Sequence, residues 1–189
     1  MKSELLDLMC HRVSSPRLET PAPQGEVLEN IFKTALRAPD HMLLRPWRYL
    51  VIEGAARGRL GELFCEAALK ESTDVTDAQL EKYHAMPLRA PMIIVGIAEN
   101  QNHKKVPTEE QVVSCGVGMG YMLLALQSVG FGGVWRTGPM AINAIVKKGL
   151  GVQEHETLLG FLYVGTPKGE LKPVPALKTS DYFQRWPAL

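Results

Sequence analysis

The sequence predicts a three-layered α+β or α/β fold, with a small central mixed sheet flanked by helices, in one domain of 189 residues. Three observations predict it. Met92–Ala98 and Leu158–Gly165 are apolar runs without polar alternation, as in strands covered on both faces. Gln24–Leu36 carries Val27, Leu28, Ile31, Phe32, Ala35 and Leu36 as one stripe at helical spacing. Gln111–Trp135 contains no charged residue, as suits a central buried helix.

Taken in order, Ser3–Met9 reads as a short helix, with Leu5, Leu6 and Met9 on one side. Pro16, Pro21 and Pro23 then impose an extended crossing. The helix over Gln24–Leu36 ends at Arg37-Ala38, because Pro39 disfavours α geometry in the residue before it. Arg48–Glu53 is a strand, Ala55–Lys70 a helix, and Ser72–Ala85 charged and partly helical. After the strand at Met92–Ala98, Asn100–Pro107 is a polar loop and Glu109–Val129 the long helix. Phe131–Trp135 is a short strand and Ile142–Lys148 a helix; Leu158–Gly165 is the last strand. Residues 167–189 form a Pro-rich tail whose Tyr182, Phe183 and Trp186 need cover, from a partner subunit or from their own domain.

Bulk properties narrow the function. A hydrophobic fraction of 46%, with 21 basic against 20 acidic residues, describes a soluble chain with no global field for nucleic acid or anionic membrane. Cys10, Cys65 and Cys115 are odd in number and lack C-x-x-C spacing, which speaks against a disulfide framework or zinc site and for a reducing cytoplasm. Glu4 and Asp7 stand where an export signal needs an apolar run. Gln111–Trp135 is long enough to span a bilayer, yet holds six glycines and Gln127, so no membrane role is expected.

Two segments carry chemistry. Arg37–Ile52 (RAPDHMLLRPWRYLVI) brings Arg37, His41, Arg45 and Trp47 into a proline-flanked loop before a strand, which a mere connection does not need. Gly130–Gly138 (GFGGVWRTG) offers Gly132-Gly133 for close backbone approach to a flat ring, with Arg136 and Thr137 beside it. His11 and Arg12 follow the first helix. They either compensate its dipole or, for Arg12, fork onto a phosphate. Gly116, Gly118 and Gly120 have the wrong spacing for a dinucleotide fingerprint; Gly116 and Gly120 share one helix face and suit close packing. His155 lacks the second histidine of H-E-x-x-H, and Cys115 reads as packing, so neither a metal nor a protein nucleophile is expected.

Six segments, in this order and spacing, resemble the nitroreductase family of FMN-dependent oxidoreductases, closest to its short, YdjA-type branch of NAD(P)H nitroreductases. They are His11–Arg17, Arg37–Glu53, Arg89–Gly96, Asn102–Pro107, Gly130–Gly138 and Leu159–Pro167. The resemblance implies a nitroreductase-like fold and an intertwined homodimer, with FMN at the interface. It places His11, Arg12 and the Val13 backbone at the phosphate end. Arg37 and His41 come from the proline loop, and Trp135, Arg136 and Thr137 from the glycine turn. It places NADH or NADPH on Ala125, Leu126, Gln127, Ser128, Val129 and Gly130. Met42 and Leu43 stand where relatives place polar flavin contacts, which leaves their effect on affinity open.

The implied activity is ping-pong, two-electron reduction of nitro compounds, quinones or related acceptors. The flavin's N5 carries the chemistry, and no catalytic side chain is identifiable. A non-catalytic flavin-binding or sensing homodimer, or a flavoenzyme of another reaction, would share these residues. The charged region 66–85 is either a cap over the pocket or a plain surface helix.

Overall fold

A computed structural model describes residues 3–186. Its helices are α1 (Glu4–Cys10), α2 (Gly25–Ala35), α3 (Ala56–Glu71), α4 (Asp77–Ala85), α5 (Thr108–Ser128), α6 (Gly138–Ile142) and α7 (Ala144–Gly149). Its strands are β1 (Leu18–Glu19), β2 (Arg48–Glu53), β3 (Met92–Glu99), β4 (Gly132–Arg136) and β5 (Glu156–Pro167). The two apolar runs pair with each other, β3 against β5, in a register that sets Met92 opposite Val164. β2 flanks β3, while β4 and β1 both pair with β5.

Every pairing is antiparallel, where a mixed sheet was expected. The connection from β2 to β3 shows why. One crossover helix would carry the chain to the far end of the sheet and make the next strand parallel. Here α3 and α4 lie between the strands, and the chain re-enters where β2 finished, with Glu53 opposite Met92. The fold is therefore α+β.

Strand alternation divides the core into two layers. Ile93, Val95 and Ile97 of β3, with Phe161 and Tyr163 of β5, pack against Leu60, Phe64 and Ala67 of α3, Met140 of α6 and Val146 of α7. Met92, Ile94, Leu162 and Val164 face the other way, onto Ile31 and Ala35 of α2 and Met119, Met122 and Leu126 of α5. Phe64 meets Phe161 edge to face, with centroids 5.4 Å apart. Burying each such side chain contributes about 1.5–3 kcal/mol.

Three expectations change in detail. The helix expected at Ile142–Lys148 is two short helices. Asn143 breaks it, and its Oδ1 accepts from the backbone N–H groups of Ile145 and Val146 as an N-cap. Close packing on α5 falls to Gly118, wedged against Ala35 of α2 and Tyr49, while Gly120 has open space beside it. α5 itself is covered on one side only: Val113 is 62% exposed, and Val117, Gly120, Tyr121 and Leu124 are half-buried.

The tail leaves the sheet after Pro167 and runs exposed from Lys168 to Trp186, with Phe183 77% and Trp186 95% accessible. Lys168 is tied to the domain through the Arg17 carbonyl and the Glu19 carboxylate; residues 187–189 lie outside the described residues. No helix among the described residues is long and apolar enough to cross a membrane.

One ion pair ties the sheet across β3. Arg48, at the start of β2, donates from Nε and Nη2 to the Glu156 carboxylate at 2.5 and 2.6 Å, and the Gln153 backbone N–H adds a third bond at 2.8 Å. Glu156 is 3% exposed and Arg48 30%. The Arg48 bonds hold the Glu156 carboxyl below its ordinary 4.5, against the opposing effect of burial, with Gln153 helping. The unfolded chain then binds this proton more readily than the folded one. The pair's stabilisation is thus full above about pH 4.5 and is lost as pH falls through the lower, folded value. Glu156→Gln is expected to cost about 2 kcal/mol at pH 7, less than breaking a fully buried pair because Arg48 keeps some water. Melting curves of both proteins from pH 7 to pH 3 check this: the gap between them closes in acid. A gap independent of pH contradicts it.

Candidate cofactor site

The proline loop is held in an unusual backbone path. Met42, Leu43 and Arg45 have φ of 63°, 55° and 51°, a left-handed region that costs non-glycine residues about 1–3 kcal/mol each. Asp40 supports it: its carboxylate accepts from the backbone N–H groups of Leu44 (3.1 Å) and Arg45 (2.7 Å). The result lifts Met42 and Leu43 into solvent, 53% and 76% exposed. It also sets His41 Nδ1 2.8 Å from a carboxylate oxygen of Glu110, on the first turn of α5. His41, Glu110, Pro39, Val113 and Val117 border a hollow of about 460 Å³ on the uncovered side of α5. Arg37, just past the end of α2, is exposed.

The segment after α1 crosses the other end of α5. Gln127 secures it at both sides: its Oε1 accepts from the Val13 N–H and its Nε2 donates to the His11 carbonyl, each at 3.2 Å. The Val13 N–H is thus engaged within the chain. His11 folds back onto the Asp7 carbonyl, 2.8 Å from Nδ1, which is the helix-end role. Arg12 is left differently. Among the described residues it makes no ion pair, only a 3.5 Å contact with the Ser14 hydroxyl. It borders a hollow of about 350 Å³ floored by Val117, Gly120, Tyr121 and Leu124. Val117 belongs to both hollows, so they form one apolar trough along α5. An unpaired guanidinium at one end and an apolar floor with open space at Gly120 beyond it fit a phosphate-bearing cofactor.

The glycine turn splits between the two sides of the sheet. Trp135 lies on the α5 side, where its Nε1 donates to the Leu159 carbonyl at 3.0 Å and its ring faces Gly116. Arg136 points the other way, its guanidinium carbon 5.8 Å from the Tyr163 ring centre. Gly132 and Gly133 do not open onto a ligand. A Cβ at Gly132 would meet Ser15 Oγ and Pro167 at 2.7 Å, and one at Gly133 would meet the Tyr163 carbonyl at 3.0 Å. They serve packing inside the chain. The glycines with space are Gly130, at φ 83°, and Gly138, at φ 65° and directly after Thr137.

Of the six residues expected to meet the nicotinamide nucleotide, Leu126 is fully buried in the core and the Gln127 amide is engaged with His11 and Val13. Ala125 is half-buried; Ser128, Val129 and Gly130 are exposed.

Within one chain the expected set is spread along α5. Glu110, beside His41, and Tyr121, beside Arg12, are eleven positions apart on α5, roughly 16 Å at 1.5 Å per residue. His41 and Arg12 of one chain cannot hold the same phosphate. Asp40, Glu110 and Gln127 are the supports that sequence reasoning missed; their signal was a charged or polar residue at an end of an otherwise apolar helix, or in a turn before proline. No group of three or more metal-binding side chains exists among the described residues.

The sequence profile of the Nitroreductase family matches residues 12–166, from Arg12 to Thr166 near the end of β5. The “Putative NAD(P)H nitroreductase YdjA” of Escherichia coli (strain K12) is 38% identical over 178 residues, covering 94% of this chain and 95% of that protein. Among solved structures, a nitroreductase-like family protein from Bacillus cereus superposes with a TM-score of 0.83 at 17% identity, over 100% of this chain and 98% of its own. A variant of the FMN and NADPH-dependent nitroreductase NfnB from sphigopyxis sp. strain HMH gives 0.76 at 16% identity, over 98% and 100%. The structural likenesses establish the fold, and the profile match with the relationship to YdjA establishes descent: the chain belongs to the Nitroreductase family.

Proposed function

We infer that the protein is an FMN-dependent NAD(P)H oxidoreductase acting as a homodimer on nitro compounds, quinones or related acceptors. The observation that carries this is the trough on α5: apolar, half-covered, and ended by an Arg12 guanidinium with no acidic partner among the described residues. The names of the YdjA relative and of the NfnB structure point the same way.

FMN bound here would supply the two-electron chemistry between NADH or NADPH and the acceptor. The chain's own residues bind and orient. Arg12 holds the phosphate by paired, charge-assisted bonds, on a backbone that Gln127 keeps in place. Gly138, with open space at its Cα, lets a ligand approach the turn closely. The second copy lays its α5 against the trough, which excludes water, and brings its own Arg37 and His41 to the site from across the interface. Its exposed 168–186 arm, ending in Phe183 and Trp186, wraps the partner. Three free cysteines suit the cytoplasm.

Arg12→Ala tests the site. It is expected to lower bound FMN at least tenfold, read from the flavin-to-protein absorbance ratio after gel filtration, with the fold unchanged by circular dichroism. Wild-type FMN content in this variant overturns the phosphate assignment.

A further inference from the structure

The backbone of the proline loop is fixed without any help from the His41 ring. The Asp40 carboxylate takes the Leu44 and Arg45 N–H groups, and the Gln101 amide donates to the Leu44 carbonyl at 2.7 Å. Gln101 is locked in turn by Gln111 of α5, which is 1% exposed. The Gln111 Oε1 accepts from the Gln101 N–H at 2.8 Å, and its Nε2 donates to the Gln101 and Val106 carbonyls at 2.9 and 3.2 Å. Glu110 stands next to Gln111 on this anchored turn, and its carbonyl accepts from the Ser114 hydroxyl. What is left for the Glu110 carboxylate is the His41 ring, 2.8 Å away at Nδ1. Two other carboxylates border the same hollow, Asp40 and Glu109. Asp40 is engaged with the loop backbone, and Glu109 makes no ion pair among the described residues.

A carboxylate only accepts hydrogen bonds, so the His41 Nδ1 carries a proton and donates it to Glu110. The other ring nitrogen, Nε2, then points away from Glu110 and is free for a ligand. We propose, resting on the FMN reading above, that Glu110 is a positioning residue: it fixes the Nδ1–H form and the direction of His41, so that Nε2 meets the cofactor. Charge alone predicts the opposite consequence. FMN carries an anionic phosphate, so removing a nearby carboxylate strengthens its binding by relief of repulsion. Removing a bond that orients His41 weakens it.

The test titrates FMN into the full-length protein after flavin removal and follows flavin fluorescence. Glu110→Ala is expected to weaken FMN binding about tenfold, as loss of one charge-assisted contact predicts. Glu110→Gln should weaken it less, because its amide oxygen still accepts from Nδ1–H. Glu110 is half exposed, so both variants should fold. Adding Glu110→Ala to His41→Gln should cost nothing beyond His41→Gln alone, since both act through one ring. Nitrogen–proton NMR of the flavin-free protein gives the second readout, at about pH 8.5, two units above the ordinary histidine value. The His41 signals, identified by their absence from His41→Gln, should show Nδ1–H in the native protein and lose that preference in Glu110→Ala. Unchanged or stronger FMN binding in Glu110→Ala overturns the proposal. So do single losses that add in the double variant, or a His41 proton position that ignores Glu110. Native protein that binds no FMN refutes the FMN reading and the proposal together; native binding with an unaltered Glu110→Ala refutes the proposal alone.

Discussion

Val117→Asp is expected to yield a monomer that purifies without flavin. Val117 is the residue at which the His41 hollow and the Arg12 hollow meet, midway along the uncovered side of α5. Its neighbours there, Val113, Tyr121 and Leu124, are apolar and half-buried or exposed. In a lone chain an aspartate at this position stays wetted, so folding loses only the small difference in helix propensity, about half a kcal/mol. Across a dimer interface the same carboxylate would be buried against apolar partners without a cation, which costs several kcal/mol, and twofold symmetry imposes that cost twice. Light scattering coupled to gel filtration should find twice the 20.9 kDa chain mass for the native protein and the single mass for the variant. The variant's melting curve should remain cooperative. A variant that is dimeric and yellow places the second copy elsewhere.

Gly118→Ala is expected to destabilise by about 2–3 kcal/mol, opposite in sign to the usual effect of this change within a helix. Alanine ordinarily gains about 1 kcal/mol over glycine in a helix interior. At Gly118 the new methyl would sit 2.9 Å from the Ala35 carbonyl oxygen and against the Tyr49 hydroxyl. The carbonyl is backbone and cannot swing aside, so α5 must back away from α2 and loosen Met119, Met122 and Ile31. A loss of this size lowers the melting temperature by roughly 5–10 °C in a chain of this length. Gly58→Ala is the control, since a Cβ at that α3 position meets nothing within 4 Å. It should raise the melting temperature slightly. Equal effects at the two positions would mean that α5 and α2 do not rely on this close approach.

Much of this fold is legible in the sequence because burial leaves a periodic trace. The alternating sets of β3 and β5 read as unbroken apolar runs, since each strand is covered on both faces, and β2 begins and ends as expected. Strand direction leaves no such trace. A mixed sheet and an antiparallel one ask for the same residues, and only the return path through α3 and α4 decides between them. Glycine is ambiguous for a similar reason. Gly118 and Gly132 are small because neighbours crowd them, whereas Gly138 is glycine because its backbone turns left-handed in open space.

The site is legible in its charged residues and opaque in their directions. Arg12 could either compensate a helix dipole or fork onto a phosphate by sequence, and the structure leaves it without an acidic partner among the described residues. Neighbouring positions on a strand face opposite ways, so Trp135 and Arg136 part company although the sequence joins them. Arg89, forty-seven positions before Arg136, borders one hollow with it through the fold alone. Met42 and Leu43 are exposed at the positions where the resemblance sets polar flavin contacts, which suits an apolar rim on the proposed site between two copies.

Anaerobic titration of the purified, FMN-loaded protein tests the central claim most directly. Addition of NADH or NADPH should bleach the visible flavin absorption with one equivalent per FMN, and subsequent addition of a nitroarene or quinone should restore it with matching consumption of the acceptor. Flavin that stays oxidised under both nucleotides, or that bleaches and is restored by no acceptor, would contradict the assignment as an NAD(P)H oxidoreductase.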